Sequence, residues 1–181
     1  MKKIIGFLSL AMICAQQAHA VEVQPYAGAD IIYSFSQIKD SQYFNDRFLA
    51  LNASVGAMLT SVVGLELSYQ QSEQKKKTSF LGQTKSEYKA FAADGVYYYS
   101  VLDNVQLLGA AGLGYYEFKS KVNAGILMHK DDGRYGLRAA IGAQYNINEN
   151  VAARLMFRYH YIHSDSLKSI KDVVLGARYY F

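Results

Sequence analysis

Residues 151–161 read VAARLMFRYHY, and every odd-numbered position in this stretch carries an apolar or aromatic side chain. The even-numbered positions between them include Arg154, Arg158 and His160. Alternation with a period of two residues predicts a β-strand whose two faces differ in polarity. The charged face of this strand requires water or ionic partners, because an unpaired charge is costly to bury.

The same alternation occurs in eight segments, and in each of them the odd-numbered positions are apolar. The segments are 27–35, 49–59, 63–69, 91–99, 105–115, 135–145, 151–161 and 173–181. A soluble β-sandwich or a lipocalin-like barrel also alternates, but with its apolar face inward. Eight strands with four to six apolar residues each would overfill one small core. The pattern therefore favours apolar faces that contact lipid.

The N-terminus has the pattern of an export signal. Lys2 and Lys3 precede an apolar run over residues 4–15, and Ala18-His19-Ala20 matches an A-x-A cleavage site. The run is too short to cross a membrane as a helix. We therefore expect a signal peptide at 1–20, cleaved after Ala20, and one outer-membrane β-barrel domain at 21–181. The one cysteine, Cys14, lies in the signal, so no disulfide or thiol chemistry is expected.

The composition of the mature segment excludes two classes of protein. Its net charge is below the +4 of the whole chain, which is too weak to predict nucleic acid as a partner. After residue 20, no continuous apolar stretch approaches the length of a transmembrane helix.

Aromatic residues are abundant at the strand ends, with 16 Tyr and 9 Phe but no Trp. Such residues gather at the two interfaces of a membrane. One predicted belt contains Tyr33, Phe35, Tyr69, Tyr115, Tyr135, Tyr159 and Tyr161, and the other contains Tyr97, Tyr99, Tyr145, Tyr179 and Phe181.

The connections between the segments alternate in length. The short ones span 60–62, 100–104 and 146–150, and the long polar ones span about 36–47, 72–87, 117–134 and 162–171. Short periplasmic turns and long outer loops are typical of bacterial barrels. Because strands in lipid must pair all their main-chain groups, the sheet must close. The sequence predicts an all-β fold: an eight-stranded antiparallel transmembrane β-barrel with an up-and-down meander.

Two Gly-rich segments and the C-terminus resemble a known family. Residues 108–115 read LGAAGLGY, residues 136–145 read GLRAAIGAQY, and the chain ends on Tyr179 and Phe181. These features resemble OmpA/OmpX-like outer-membrane barrels, including porin-family and opacity-type surface proteins. The resemblance implies integral insertion in a Gram-negative outer membrane, with Tyr179 and Phe181 in the signal read by the barrel-insertion machinery. The soluble peptidoglycan-binding domain of full-length OmpA proteins is expected to be absent.

The inward face carries charges of both signs, and these are the first candidate site. The predicted set is Asp30, Glu66, Asp94, Arg138, Arg154, Arg158 and Arg178. Arginine and carboxylate groups form bidentate bonds, so we predict an ion-paired network that plugs the lumen. The alternative is a narrow ion path, because rings of charge also line pores.

The outer loops are the second candidate site. Their basic residues are Lys75, Lys76, Lys77, Lys85, Lys119, Lys121 and Lys130. Lysines at this level are placed to meet lipopolysaccharide phosphates or a host polyanion, and loops commonly carry binding function. The alternative is a solvated, variable loop.

An enzymatic role receives little support. Some small barrels are lipid A deacylases with a His-x-Ser-Asn motif, whereas here His163 is followed by Ser164 and Asp165. Ser166 and His160 lie nearby, and nothing in the sequence fixes Asp172 as the orienting acid. No spacing predicts a metal or another cofactor. We predict a monomeric, non-enzymatic surface protein with a structural, adhesion or interaction role, and a small porin or a lipid A-modifying enzyme as alternatives.

Overall fold

The computed structural model describes residues 23–38, 47–73, 75–79, 82–123, 127–162 and 167–181, and every regular element within them is a β-strand. The strands are β1 (Gln24–Ile38), β2 (Arg47–Met58), β3 (Val63–Ser72), β4 (Lys75–Ser79), β5 (Gly82–Leu102), β6 (Val105–Asn123), β7 (Leu127–Asn146), β8 (Val151–Ile162) and β9 (Leu167–Tyr180). Across these ranges no helix has the length and apolar character needed to cross a bilayer. The predicted signal peptide and its cleavage site lie outside the described residues.

The sheet closes on itself as an antiparallel barrel. Strands that follow one another in the chain pair with each other, except β3 and β4; β1 pairs with β9, and β3 pairs directly with β5. The short β4 pairs with β5 alone, so eight of the nine strands form the closed ring. Closure leaves no exposed sheet edge around the ring, as a membrane-spanning sheet requires. The predicted fold is confirmed.

The strands of the middle of the chain are longer than predicted. β5, β6 and β7 continue as paired ladders to Gln83↔Asn123 and Asn123↔Leu127. The stretches 72–87 and 117–134 are therefore largely hairpin ribbons, and their interpretation as loops was wrong. The alternation of apolar side chains stops where the strands leave the lipid. Main-chain hydrogen bonding between the strands continues beyond that point into water.

The burial pattern confirms the predicted orientation of the two faces. Leu113, Ile141 and Leu175, at odd positions, keep 64%, 69% and 60% of their surface exposed. Glu66 and Arg158, at even positions, are buried in the lumen. A soluble domain would place these groups the other way round, so the exterior of this barrel is a lipid-facing surface.

The inward face is more apolar than the sequence suggested. A cluster of buried apolar and aromatic side chains fills part of the lumen, with Ile32, Val96, Leu108, Met156 and Val174 among its members. An eight-stranded barrel leaves an interior just wide enough for side chains to fill. Apolar groups therefore pack the space between the charged groups.

Aromatic side chains form the predicted exterior belts. Tyr69, Phe91, Tyr115 and Tyr135 occupy one cross-strand row in register over four neighbouring strands. Their rings pair at centroid distances of 4.7 Å for Tyr69–Phe91 and 5.1 Å for Tyr115–Tyr135. Phe91, absent from the predicted belt, completes the row.

Glycine makes room for the charged lumen at specific positions. A Cβ atom added at Gly112 would collide with the carbonyl oxygen of Ala93 and the carboxyl group of Asp94. An added Cβ at Gly109, on the exterior of the same strand, would meet nothing within 4 Å. Position 112 therefore requires glycine, because the neighbouring strand β5 approaches it too closely for a side chain.

We expect Leu113→Arg to lower the free energy of unfolding by about 2–4 kcal/mol, because it places a charge in the apolar band. Leu102→Arg, at the end of β5 beside the turn, is the matched control and should cost about 0–1 kcal/mol. Urea unfolding in phosphatidylcholine vesicles measures both. Equal costs for the two variants would contradict a membrane level at Leu113.

We expect Gly112→Val to lower the free energy of unfolding by about 1–3 kcal/mol, the usual cost of overpacking. Gly109→Val, an identical change three residues earlier on the same strand, should leave stability nearly unchanged. The same vesicle assay compares them. A stable Gly112→Val barrel would show that the lumen has unused space beside Asp94.

Candidate functional site

The largest group of charges in the lumen is a four-residue cluster towards the end of the barrel at which the described chain begins and ends. This lower cluster consists of Asp30, Glu66, Arg154 and Arg178. Arg154 donates to Asp30 at 3.0 Å and to Glu66 at 2.9 Å, and Arg178 contacts the same two carboxylates at 3.0 and 3.2 Å. Asn52 and Tyr26 donate further hydrogen bonds to Asp30 and Glu66, at 2.6 and 3.3 Å.

The lower cluster joins opposite walls of the barrel. Arg154 lies on β8 and Glu66 on β3, and three strands separate these two on either side of the ring. A bond between them therefore crosses the full width of the lumen. All four side chains of the cluster are buried.

A second ion pair lies one tier further from the termini. Arg138 on β7 binds both carboxylate oxygens of Asp94 on β5, with its Nε at 2.5 Å from Oδ1. Its Nη2 also donates to the Ser68 hydroxyl at 3.0 Å. The bidentate geometry satisfies two guanidinium donors and both oxygens at once.

A third group, the upper cluster, lies towards the outer end of the lumen. His160 Nε2 is 2.9 Å from Asp172 Oδ2, and His160 Nδ1 is 2.5 Å from the Tyr116 hydroxyl. Gln70 donates to Asp172 at 3.4 Å and also hydrogen bonds to Tyr88. These polar groups form one connected network at the outer end.

Arg158 differs from the other three lumen arginines. It is buried, and its Nη1 has no hydrogen-bond partner in the described chain. Its guanidinium lines a cavity of about 10 Å³ together with Glu66, Asp94, Arg138 and Arg154. That volume is close to the minimum for one water molecule, and the polar lining suits one.

All seven residues of the predicted lumen set are buried on the inner face. Asp172, which is not in the predicted set, is also buried and brings the buried charges of the described residues to four carboxylates and four arginines. The sequence pattern does indicate an inward Asp172, because this residue continues the even-numbered inward series of Val174, Gly176 and Arg178. It was overlooked because the apolar alternation of the last segment begins only at Val173.

The lumen widens at the end that holds the chain termini. An open vestibule of about 1040 Å³ is lined by turn residues and by Gln106, Gln144 and Tyr180. Gln144 donates to the Tyr180 hydroxyl at 2.9 Å and to Gln106 at 3.2 Å, which builds a polar floor. The lower cluster lies beyond this floor.

The predicted basic residues of the outer loops lie on the ribbons at the other end. Their main-chain register places Lys76 opposite Lys85, and Lys85 opposite Lys121. Lys75 and Lys77 flank Lys76 on β4, while Lys119 and Lys130 lie at neighbouring positions on β6 and β7. The fold thus brings basic positions from separate stretches of sequence onto the adjacent strands β4 to β7, where Lys119 also lies opposite Glu87 and Asp131.

Of the residues considered for catalysis, the structure describes His160 and Asp172, which contact each other. His163, Ser164, Asp165 and Ser166 lie outside the described residues. His160 and Tyr116 are 1% and 0% exposed, so the upper cluster is buried within the described part of the barrel. Among the described His, Cys, Asp and Glu residues, none form a group suited to a metal ion.

Comparisons with solved structures agree with the fold. Neisserial surface protein A shares 16% identity with a TM-score of 0.67, over 88% of this chain and 97% of that chain. The N-terminal β-barrel domain of OprF from Pseudomonas aeruginosa shares 16% identity with a TM-score of 0.63, over 88% of this chain and 100% of that chain. Ail, the attachment invasion locus protein of Yersinia pestis, was solved with the heparin analogue sucrose octasulfate. It shares 17% identity with a TM-score of 0.60, over 88% of this chain and 97% of that chain.

The family assignment rests on the sequence itself. Among curated proteins, none matches the chain significantly. The sequence profile of the outer membrane protein beta-barrel domain matches residues 5–181. Together with the closed ring of strands and the apolar exterior, this match shows that the chain belongs to the outer membrane protein beta-barrel domain family and is an integral protein of the Gram-negative outer membrane.

Proposed function

We propose that this protein is a closed, non-enzymatic barrel that carries basic ribbons on the cell surface and serves in adhesion or surface interaction. The observation that carries the first part is the lower cluster, whose ion pairs cross the lumen from wall to wall. The basic register of the outer ribbons supports the second part.

The closed state is favoured by the energetics of buried charge. Each carboxylate of the lower cluster is held by two arginines, so opening a path requires several charge-assisted bonds to break together. Breaking one partner away from a buried pair is strongly unfavourable. The apolar cluster around Met156 and Val174 fills further space in the lumen.

A polyanion is the surface ligand that the ribbons favour. Lys76, Lys85 and Lys121 occupy facing register positions on three adjacent strands. Like charges held this close repel one another, and a bound anion relieves that repulsion. The Ail structure contains a sulfated heparin analogue, which supports the same ligand class for this chain.

We expect folded wild-type protein to give no channel events in a planar lipid bilayer, and Glu66→Ala to conduct or to unfold more easily. The substitution leaves Arg154 and Arg178 with one carboxylate instead of two. Glu149→Ala removes a carboxylate from the rim of the vestibule and is the matched control. It should behave as the wild type does.

Steady wild-type conductance would end the proposal of a closed lumen and favour the porin alternative. An unchanged Glu66→Ala barrel, equal to wild type in both conductance and stability, would show that the lower cluster is not the obstruction.

We expect the triple variant Lys75→Gln, Lys76→Gln and Lys77→Gln to bind immobilised heparin roughly tenfold more weakly than wild type, because three positive charges are lost. Lys89→Gln is the control, since Lys89 faces Glu117 in the neighbouring strand. Binding should also weaken as salt rises. Retention of full heparin affinity by the triple variant would argue against the ribbon as the polyanion site.

A further inference from the structure

Two cations project from the lipid-facing side of the barrel near its outer end. Arg47 on β2 and Lys171 on β9 are both exposed. In the register of the sheet, Phe35 on β1 lies between them, opposite Arg47 on one side and Lys171 on the other. Lys171 in turn lies opposite Tyr159 on β8. One exterior row across four adjacent strands therefore reads Arg47, Phe35, Lys171, Tyr159.

This row lies at the upper edge of the apolar band. Phe35 packs edge-to-face on Tyr33 at a centroid distance of 4.8 Å, and both belong to the outer aromatic belt. The next exterior row towards the periplasm is Leu49, Tyr33, Val173, Phe157, which carries no charge. The two cations are thus at the depth of the lipid headgroups rather than in the surrounding water.

Neither cation has a partner in the described part of the protein. No hydrogen bond or ion pair there involves the side chain of Arg47 or of Lys171. The described exterior positions of β1, β2, β8 and β9 include no Asp or Glu. The opposite side of the barrel differs, because Lys89 there lies between the exterior carboxylates Glu87 and Glu117. The described exterior of β1, β2, β8 and β9 therefore carries positive charge only, and the nearest exterior carboxylate to Arg47 is Glu73, which lies opposite Leu49 beside β2.

We propose that Arg47, Phe35 and Lys171 form a binding site for the phosphorylated headgroup of an outer-leaflet glycolipid, with lipid A as the representative ligand. Arg47 supplies a planar guanidinium that binds a phosphate through two donors, and Lys171 supplies a second point charge. Arg47 and Lys171 are separated by two strand spacings, which is roughly 10 Å, so they reach different parts of one headgroup. Phe35 lies between them against the sugar and the first acyl carbons.

The depth of the site favours a lipid over a soluble ligand. A free phosphate ion would contact the two cations alone and gain nothing from Phe35 or Tyr33. A lipid presents its phosphate, its sugar and its acyl chains in the same vertical order as the cations, the aromatic belt and the apolar band. Anionic headgroups are also concentrated at this depth, which raises occupancy.

This inference rests on the membrane location of the barrel and is independent of the closed lumen and of the ribbon lysines. Arg47 and Lys171 lie outside the barrel wall, so their substitution does not touch the lower cluster. A failed conductance or heparin experiment therefore leaves this site standing, and the reverse also holds.

The test compares lipid A binding by native mass spectrometry of the folded protein in detergent. The variants are the double substitution Arg47→Gln with Lys171→Gln, and the control Lys89→Gln. The probes are lipid A with both phosphates and lipid A with the same acyl chains after enzymatic removal of the phosphates. We expect the double substitution to weaken binding of the phosphorylated probe roughly 30-fold, and Lys89→Gln to leave it unchanged.

Two further measurements exclude trivial explanations. The mobility of boiled and unboiled samples on a gel verifies that each variant is folded. The charge-conserving pair Arg47→Lys with Lys171→Arg should retain most of the affinity, because it removes neither charge.

Three results would overturn the proposal. One is unchanged binding of phosphorylated lipid A by the double variant. Another is an equal loss with Lys89→Gln, which would indicate attraction by net charge without a defined site. The third is displacement of lipid A by inorganic phosphate at equal concentration, which would indicate a simple anion site that does not recognise lipid.

Discussion

Main-chain hydrogen bonding without water is the constraint on which the rest of this structure depends. In lipid, every strand N–H and C=O must find a partner within the chain, and the pairing of β1 with β9 completes that requirement. The closing contact joins Tyr26 to Tyr180, near the two ends of the described chain. The ring therefore closes only when the strands from β1 to β9 are all in place.

Closure also creates a small interior from which charged groups cannot reach bulk water. The four carboxylates and four arginines buried there are tolerated because most of them share bonds across the lumen. Gly112, which lies opposite Asp94, leaves the space that these side chains need. Packing and electrostatics thus act together, since the residues that connect opposite walls of the barrel also fill part of its interior.

The type of side chain on the exterior differs with depth in the membrane. Apolar side chains face the acyl chains, aromatic rings mark both interfaces, and the strands of β5, β6 and β7 continue beyond the outer belt as paired ribbons. Charge on the exterior is uneven around the ring. Arg47 and Lys171 both lie opposite Phe35, whereas Lys89 lies opposite Glu117. The barrel therefore presents chemically distinct sides to the same leaflet.

The amino-acid sequence by itself determined which face each strand residue occupies, because a period of two residues is a local property of extended backbone. The barrel, the aromatic belts and the seven inward charges were predictable on that basis. Only the tertiary structure decided which charges meet. Arg154 reaches Glu66, 88 positions away in the chain, because strand register and barrel width bring those tips together. The contact between Asp172 and His160 and the unpartnered Nη1 of Arg158 have the same cause. Distances across the lumen depend on closure of the barrel, and no local sequence pattern encodes closure.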